Sequence, residues 1–277
     1  MKVSLKNIAL QAYFYRILRF LKFYLAAVTK YQLHSPFVFE LTNAVLEDAR
    51  WFYAFRDVER VRQQMLASEV RVRAMDSGQT ASATTTIRAV VRRAASSPRQ
   101  GQLLFRLACW ASPRTMLELG TSLGIGAMYL ASGMRSARFV SLEGSADFAQ
   151  VARANLETLG LSNVEILVGA FADTLPTALA RLPQLDLVFF DGHHQLEPTL
   201  RYLETCLPHS HAQTVFVFDD VYWSPDMTRA WEHIRQHPRV TLTIDFFEVS
   251  LAFVNPDFKE KQHYKVVPKA WKPWKVF

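Results

Sequence analysis

The chain has 277 residues, of which 50% are hydrophobic, and a formal net charge of +7; its mean hydropathy is +0.01. This composition is typical of a globular protein with one core of ordinary size plus an extension. Its two cysteines, Cys109 and Cys206, exclude a disulfide framework and a C-x-x-C metal site. We therefore expect a reducing, cytoplasmic compartment.

The positive charge is concentrated at the two ends of the chain. Residues 1–39 carry six basic residues and no acid, and residues 259–277 carry six lysines and one acid. The part between them is net acidic, so the basic balance says little about the substrate, which we expect to be a small molecule rather than nucleic acid. The ends are either solvated or in peripheral contact with a membrane surface, nucleic acid or an acidic partner.

The first predicted element is an amphipathic helix within residues 8–28. Arg16, Arg19 and Lys22 interrupt its apolar run, which argues against a membrane span, and no small-residue cleavage site indicates a secretory signal. Apolar side chains share another face, namely Tyr15, Leu18, Leu21 and Leu25. Such a helix lies on a bilayer surface or, more often, packs on its own domain or on a homodimer partner.

The rest of residues 1–100 is predicted to be largely helical, with a break at Ser35-Pro36. The expected elements are helices at 37–50 and 57–75, a polar turn at 76–82, a helix ending near 95 and a helix at 100–110. This N-terminal helical extension either acts as a lid or in oligomerisation, or only connects elements.

From residue 115 onward, strand patterns and helix patterns alternate. The predicted strands are 115–119, 138–142, 164–168, 185–190, 214–219, 240–244 and 246–254. The predicted helices are 124–134, 146–159, 172–182, 195–207 and 225–236. This repeat indicates an α/β fold with a parallel sheet covered on both faces. The closeness of the last two strands predicts an antiparallel hairpin, and residues 259–277 are expected to be a basic tail.

The most informative motif joins the first of these strands to the following helix. It places an acid, Glu118, two residues before a glycine turn that contains Gly120, Gly124 and Gly126. A strand, a glycine turn and a helix N-terminus form a cradle for a nucleotide-like ligand. The glycine spacing differs from G-x-G-x-x-G, which argues against a nicotinamide cofactor. The alternative is a turn with a packing role alone.

This E-x-G-x-x-x-G pattern resembles motif I of the class I S-adenosylmethionine-dependent methyltransferases. The resemblance covers about 101–258 and implies a Rossmann-like, seven-stranded sheet with strand order 3-2-1-4-5-7-6. It implies S-adenosylmethionine as the cofactor, with Glu118 near its methionine amino end. The implied cofactor-binding residues are Glu118, Gly120, Thr121, Ser122, Gly124, Glu143, Gly144, Gly169, Ala170 and Asp191.

Glu143 ends the second predicted strand of this region, 17 residues after Gly126. An acid at this point can accept hydrogen bonds from both ribose hydroxyls, although it could also only cap the next helix. The third strand ends at Gly169, where the family holds the adenine. Many members have an acid after this glycine, whereas this chain has Ala170.

Three aspartates follow the next two strands. Asp191 ends one strand, and Asp219 and Asp220 end the other. Parallel neighbours would bring them together at the carboxyl edge of the sheet, where either one of the crowded carboxylates is protonated or a cation lies between them; a hard cation such as Mg²⁺ suits such ligands. The pattern resembles the divalent-metal O-methyltransferases, which makes these aspartates candidate metal ligands and Asp191 a candidate catalytic residue. The alternative is that Asp219 and Asp220 only cap a helix or hold a loop.

His194 follows Asp191 by three residues, as in the D-G-x-H motif of many small-molecule methyltransferases. A histidine here could act as a general base on a substrate hydroxyl; His193 is the weaker candidate. The leader H-S-P-F at 34–37 and the D-x-G-x-x-S pattern at 76–82 (Ser82 one residue later than usual) resemble uncharacterised bacterial class I members.

We therefore expect an S-adenosylmethionine-dependent methyltransferase that acts on an oxygen of a small-molecule or glycan-like acceptor, with possible assistance from a divalent metal. The rival hypothesis is a non-catalytic S-adenosylmethionine-binding module that docks on a membrane or partner through its basic ends.

Overall fold

The computed structural model describes residues 5–74 and 83–275. The predicted polar turn at 76–82 lies outside the described residues. The helices are α1 (Leu5–Ala26), α2 (Pro36–Leu41), α3 (Tyr53–Ala67), α4 (Ile87–Ala94), α5 (Pro98–Ala111), α6 (Ile125–Gly133), α7 (Ala146–Thr158), α8 (Phe171–Arg181), α9 (Leu196–Cys206) and α10 (Pro225–Gln236). The strands are β1 (Arg71–Ala74), β2 (Ala83–Thr86), β3 (Thr115–Leu119), β4 (Arg138–Glu143), β5 (Val164–Val168), β6 (Leu185–Phe190), β7 (Ser210–Asp219), β8 (Leu242–Asp245), β9 (Val249–Phe253) and β10 (Gln262–Lys265).

The strand order of the main sheet is β10-β8-β9-β7-β6-β3-β4-β5. When β3 is counted as the first strand, this is the predicted order 3-2-1-4-5-7-6 with one strand added, so the Rossmann-like methyltransferase fold is confirmed. The added strand is β10, which pairs in parallel with β8. The segment expected to be only a tail therefore contributes to the sheet.

The N-terminal extension contains a β-hairpin as well as helices. β1 pairs antiparallel with β2, with Val72 opposite Thr85. Helix α3 ends at Ala67, so the predicted helix at 57–75 is wrong over residues 68–74, and Met75 lies outside the described residues. Arginines alternate with apolar residues in β1, and this period of two suits a strand better than a helix.

The chain divides into two compact units. The central unit, named for its place in the sequence, comprises Asp48–Gly192 and His209–His211; the terminal unit comprises Met1–Glu47, His193–Pro208 and Ala212–Phe277. In the central unit, β6, β3, β4 and β5 are parallel. Their apolar residues form continuous runs because both faces of a parallel sheet are covered. Met116, Leu117, Val140 and Val188 are all fully buried.

In the terminal unit, β9 pairs antiparallel with both β7 and β8, which confirms the predicted hairpin. Helix α1 packs through Phe23, which is 1% exposed and lies 5.3 Å, ring to ring, from Phe247. The C-terminal segment contacts the end of α1, since the Tyr24 hydroxyl donates to the carbonyl oxygen of Trp271 at 2.7 Å. No helix in the described part of the chain is long and apolar enough to cross a membrane.

Candidate active site

The glycine turn follows β3 and leads into α6. Gly120 has φ +112°, Gly124 has φ +88°, and Ser122 between them has φ +49°. The N–H groups of Gly120 and Thr121 both donate to the carbonyl oxygen of Leu142, at 2.9 and 3.0 Å, which fixes the turn against β4. Gly124 is the N-cap of α6. The turn therefore presents the unpaired first N–H groups of that helix to a ligand.

Gly120 passes very close to the backbone that follows β6. A Cβ atom built on Gly120 would lie 2.4 Å from the carbonyl oxygen of Asp191 and 2.7 Å from its carbonyl carbon. The N–H of Asp191 donates to the carbonyl oxygen of Leu119 at 2.9 Å. The structure thus brings Gly120 and Asp191, both predicted cofactor-binding positions, into backbone contact.

Glu118 is fully buried beside this turn. Its Oε2 accepts a hydrogen bond from the Ser141 hydroxyl at 2.5 Å, and the hydroxyls of Ser141 and Thr121 are also 2.5 Å apart. Its Oε1 has no hydrogen-bond partner among the described residues. Burial raises the pKa of Glu118 to about 8; the Ser141 hydrogen bond opposes this rise and the charge of Glu143 adds to it. An orphaned buried oxygen fits a ligand group that donates a hydrogen bond.

Glu143 is buried at the end of β4 and is held by the backbone. Its Oε2 accepts from the N–H of Ser122 at 2.7 Å, and its Oε1 accepts from the N–H of Ser145 at 2.8 Å. Burial raises the pKa of Glu143, and hydrogen bonds from the N–H groups of Ser145, Ser122 and Gly144 oppose this rise. A carboxylate has about four acceptor positions. Glu143 is therefore rigidly placed and keeps acceptor capacity for ribose hydroxyls.

A narrow cleft opens beside the glycine turn. It is lined on one side by Thr121, Ser122 and Asp191, and on the other by the connection between α4 and α5, which includes Ser96. Ser96 is 7% exposed and is not among the predicted site residues. The sequence does indicate that the connection is ordered, because Ser97 and Gln100 form a capping box at the start of α5.

The β1–β2 hairpin is anchored directly after Glu143, at the start of α7. The Ser145 hydroxyl donates to the carbonyl oxygen of Arg73 at 2.6 Å, and the N–H of Arg73 donates to Asp147 at 2.8 Å. The Arg73 guanidinium also pairs with Asp147 at 3.2 Å, and its hydrogen bond lowers the pKa of that carboxyl. The hairpin thus supports the loop that carries Glu143.

The end of β5 provides the expected adenine position. Gly169 has φ +147°, and its N–H donates to the carbonyl oxygen of Glu143 at 2.9 Å. Ala170 is the N-cap of α8 and makes no side-chain capping bond. Since Ala170 has no polar side chain, recognition of an adenine amine at this position would depend on the backbone.

The remaining predicted site residues lie in the terminal unit. Asp219 is 6% exposed, and its Oδ1 accepts from the N–H of Asp220 at 2.8 Å. Burial lowers the pKa of His194, and the charge of Asp220 partly offsets this. His193 has φ +59°, and its Nδ1 lies 3.1 Å from the Tyr202 hydroxyl. His194 is therefore neutral near pH 7, and the Asp220 carboxylate is close enough to affect its pKa. His193, in contrast, is positioned by Tyr202.

Within the described ranges, no group of three or more histidine, cysteine, aspartate or glutamate side chains is arranged so that it could hold a metal ion. The set of Asp191, Asp219 and Asp220 stays a prediction.

Comparison with known proteins agrees with this geometry. A family model described as a methyltransferase domain matches residues 117–221, which include Glu118, its glycine turn and the two aspartates at the end of β7. Residues 117–221 therefore match a methyltransferase domain in sequence. Catechol O-methyltransferase of Mycobacterium tuberculosis is 39% identical to the chain over 131 residues, which are 47% of this chain and 58% of that protein. The chain spans between half and three fifths of the length of the curated relatives that it matches.

Solved structures resemble the methyltransferase domain and its surroundings. The O-methyltransferase TomG of Streptomyces achromogenes, involved in tomaymycin synthesis and solved in complex with S-adenosylmethionine, is 25% identical with a TM-score of 0.55; the match covers 74% of this chain and 91% of TomG. An O-methyltransferase of Bacillus cereus in complex with S-adenosylhomocysteine is 23% identical with a TM-score of 0.56, over 78% of this chain and 96% of that chain. The second likeness shows the fold alone.

Proposed function

We propose that this protein transfers the methyl group of S-adenosylmethionine to a hydroxyl oxygen of a small-molecule acceptor. The observation that carries this proposal is the cradle between β3 and α6. There, the orphaned Oε1 of Glu118, the left-handed turn at Gly120 and the backbone-held carboxylate of Glu143 lie in one compact unit. These groups suit a ligand that has ribose hydroxyls and a cationic end.

Each part of the cradle has a defined task in this proposal. Glu118 would accept a hydrogen bond from the methionine ammonium, Gly120 and Gly124 would let the backbone approach the ligand, and Glu143 would accept from the ribose hydroxyls. Ser96 would close the opposite side of the cleft. The acid at 118 is protonated near pH 7 without a cation beside it, because burial raises its pKa to about 8. An ammonium group would favour the ionised form.

The chemistry proposed for the acceptor end needs a base. When bound, S-adenosylmethionine supplies an electrophilic methyl group on a sulfonium sulfur. His194 is neutral near pH 7 because burial lowers its pKa. It can therefore accept the proton of an acceptor hydroxyl as the oxygen–carbon bond forms, while Asp220 stabilises the imidazolium. His193 serves only as a comparison, because Tyr202 already positions its Nδ1.

The acceptor class rests on the relatives. Catechol O-methyltransferase and TomG are named for transfer to oxygen, and we extend this to a small hydroxylated acceptor, aromatic or glycan-like. We predict in addition that a divalent metal held by Asp191, Asp219 and Asp220 assists the transfer.

The first experiment is isothermal titration of the protein with S-adenosylmethionine and with S-adenosylhomocysteine. We expect micromolar binding of both, and a loss of about tenfold or more for Glu143→Ala, because its carboxylate no longer accepts from the ribose or fixes the turn. Glu157→Ala removes an exposed carboxylate on α7 and is the matched control. Equal affinity of the Glu143 and Glu157 variants would refute the ribose assignment, and an absence of binding would refute the proposed function.

The second experiment measures methyl transfer to catechol with a radiolabelled methyl donor. His194→Ala is expected to lower kcat by a factor of about 100 or more without loss of cofactor binding, and His193→Ala to have a much smaller effect. Equal kcat values for the two variants would exclude His194 as the base.

A further inference from the structure

Helix α1 buries one face and leaves the opposite face exposed. Phe14 is 55% exposed, Leu18 57%, Leu21 48% and Leu25 77%. At 3.6 residues per turn these four side chains lie within about 60° of one another, nearly opposite the buried Phe23. We call this set the α1 stripe. Four large apolar side chains aligned on one helix face are more than the scattered exposure usual for a soluble surface.

The surroundings of the α1 stripe are aromatic and basic. Tyr13 is 63% exposed on one flank, and Lys22 lies about 70° from the centre of the stripe on the other. The C-terminal segment, whose Trp271 carbonyl oxygen accepts a hydrogen bond from Tyr24 of α1, also carries Trp274, which is 66% exposed. Tyrosine and lysine at the rim of an apolar face, with an exposed tryptophan on an adjoining segment, are typical of proteins that lie at a membrane–water interface.

Either a second copy of α1 or an anionic lipid surface could cover the α1 stripe, and charge distinguishes the two. The spacing of the α1 stripe, four, three and four residues, would also suit a second copy of the helix. However, Lys22 flanks the stripe and residues 1–39 contain no acid, so paired copies would bring these lysines near each other with no carboxylate of the same segment to offset them. An anionic surface complements Lys22.

We propose that α1 docks the protein on an anionic lipid surface, with the α1 stripe inserted and the helix lying parallel to the membrane. The apolar side chains would enter the boundary between headgroups and acyl chains, and Lys22 would extend to the lipid phosphates. The opposite face stays packed on the terminal unit, where Arg16 stacks 4.6 Å above the Trp223 ring. Docking therefore needs no unfolding of α1.

The test is flotation of the full chain with vesicles of phosphatidylcholine alone and with vesicles that contain phosphatidylglycerol. We expect salt-sensitive binding to the anionic vesicles, at least tenfold weaker for the double variant Leu18→Glu with Leu21→Glu. The matched control is Tyr53→Glu with Val70→Glu, which places two acids on exposed apolar positions of the central unit and should bind as the wild type does. S-adenosylmethionine titration and thermal unfolding verify that each variant is folded.

Three outcomes would overturn the proposal. These are no binding of the wild type to either vesicle, equal binding by the α1 stripe variant, and a dimer in sedimentation velocity that the α1 stripe variant dissociates. If the double variant does not fold, Lys22→Glu replaces it, since it reverses one flanking charge and leaves the stripe intact. Unchanged binding of Lys22→Glu to anionic vesicles would then also contradict the proposal.

Discussion

Replacing Gly120 by alanine tests whether the turn after β3 is as tightly constrained as the structure shows. The new Cβ would lie 2.4 Å from the carbonyl oxygen of Asp191, and both atoms belong to backbone or are bonded directly to it. Neither can move away by a side-chain rotation. In addition, φ at Gly120 is +112°, a region that residues with a Cβ rarely adopt.

The magnitude follows from these two costs. Backbone strain at a left-handed position costs about 1–3 kcal/mol, and overpacking against a fixed neighbour costs about 1–3 kcal/mol. Together they predict a destabilisation of about 2–6 kcal/mol, a large part of the about 5–15 kcal/mol that stabilises an ordinary protein. The mutation should also weaken S-adenosylmethionine binding, because the displaced segment includes Asp191 at the cleft.

Alanine substitutions at two other glycines of the central unit distinguish the cost of backbone strain from the cost of overpacking. Gly160 has φ +61°, but a Cβ there would meet no atom within 4 Å, so Gly160→Ala should cost only about 1–2 kcal/mol of strain. Gly144 is also open and has no positive φ, so Gly144→Ala should be close to neutral for stability. Urea unfolding of the three variants measures the differences. If Gly120→Ala destabilises no more than Gly160→Ala, the close approach of Gly120 to Asp191 is refuted.

Three further predictions concern buried charge and metal. Burial holds the pKa of Glu118 at about 8, above its ordinary 4.5, so the protein should lose stability as the pH rises between these values, by at most about 1.4 kcal/mol per unit. Glu118→Gln should remove this slope in urea unfolding at about pH 5–9, and equal slopes would contradict the assignment. Burial alone would raise the pKa of Asp186, but hydrogen bonds from Thr115, His211 and Arg114 lower it. Asp186→Ala should therefore destabilise by about 1–3 kcal/mol at neutral pH, and the deficit should shrink as acid protonates the wild-type carboxyl below its ordinary 3.8; a deficit independent of pH would exclude this role. Finally, if Asp191, Asp219 and Asp220 hold a divalent metal when the ligands are bound, EDTA should abolish methyl transfer to catechol and Mg²⁺ should restore it, whereas full activity in chelator would remove the metal prediction.

The strands of the methyltransferase domain were predictable because burial on both faces leaves a plain signal. Residues 185–190 are a continuous apolar run apart from Asp186, and β6 has those bounds. The start of α10 was also predictable, because Ser224 is a typical capping residue and a proline follows it. Long, buried elements with such caps need no knowledge of distant contacts.

The short and polar strands were not predictable from local patterns. Gln262–Lys265 has no apolar alternation, and it pairs with β8 as the last strand at one edge of the sheet. The β1 strand of four residues is held by a contact with Asp147, 74 positions away in the sequence. Propensity within a short window contains no information about such a partner.

The candidate cofactor site divides in the same way. Glu118, Gly120 and Glu143 follow from one motif and one strand end. The Ser141 hydroxyl forms hydrogen bonds with both Glu118 and Thr121. The sequence does not show this contact, because it depends on the pairing of β3 with β4 that places Glu118 opposite Ser141. That pairing is a property of the register, which only the fold determines.

The bridge between Val28 and Val266 bears on how the protein is made. The N–H of Val28 donates to the carbonyl oxygen of Lys265, and the N–H of Val267 donates to that of Val28. These bonds join positions more than 230 residues apart. During synthesis the segment after α1 must therefore wait, without its β-bridge partner, until residues beyond 266 leave the ribosome, whereas Asp48–Gly192 is nearly the whole of one unit and can fold earlier. A nascent chain of which about 200 residues have left the ribosome should accordingly hold a folded central unit, with its leading helix still open to proteases and chaperones.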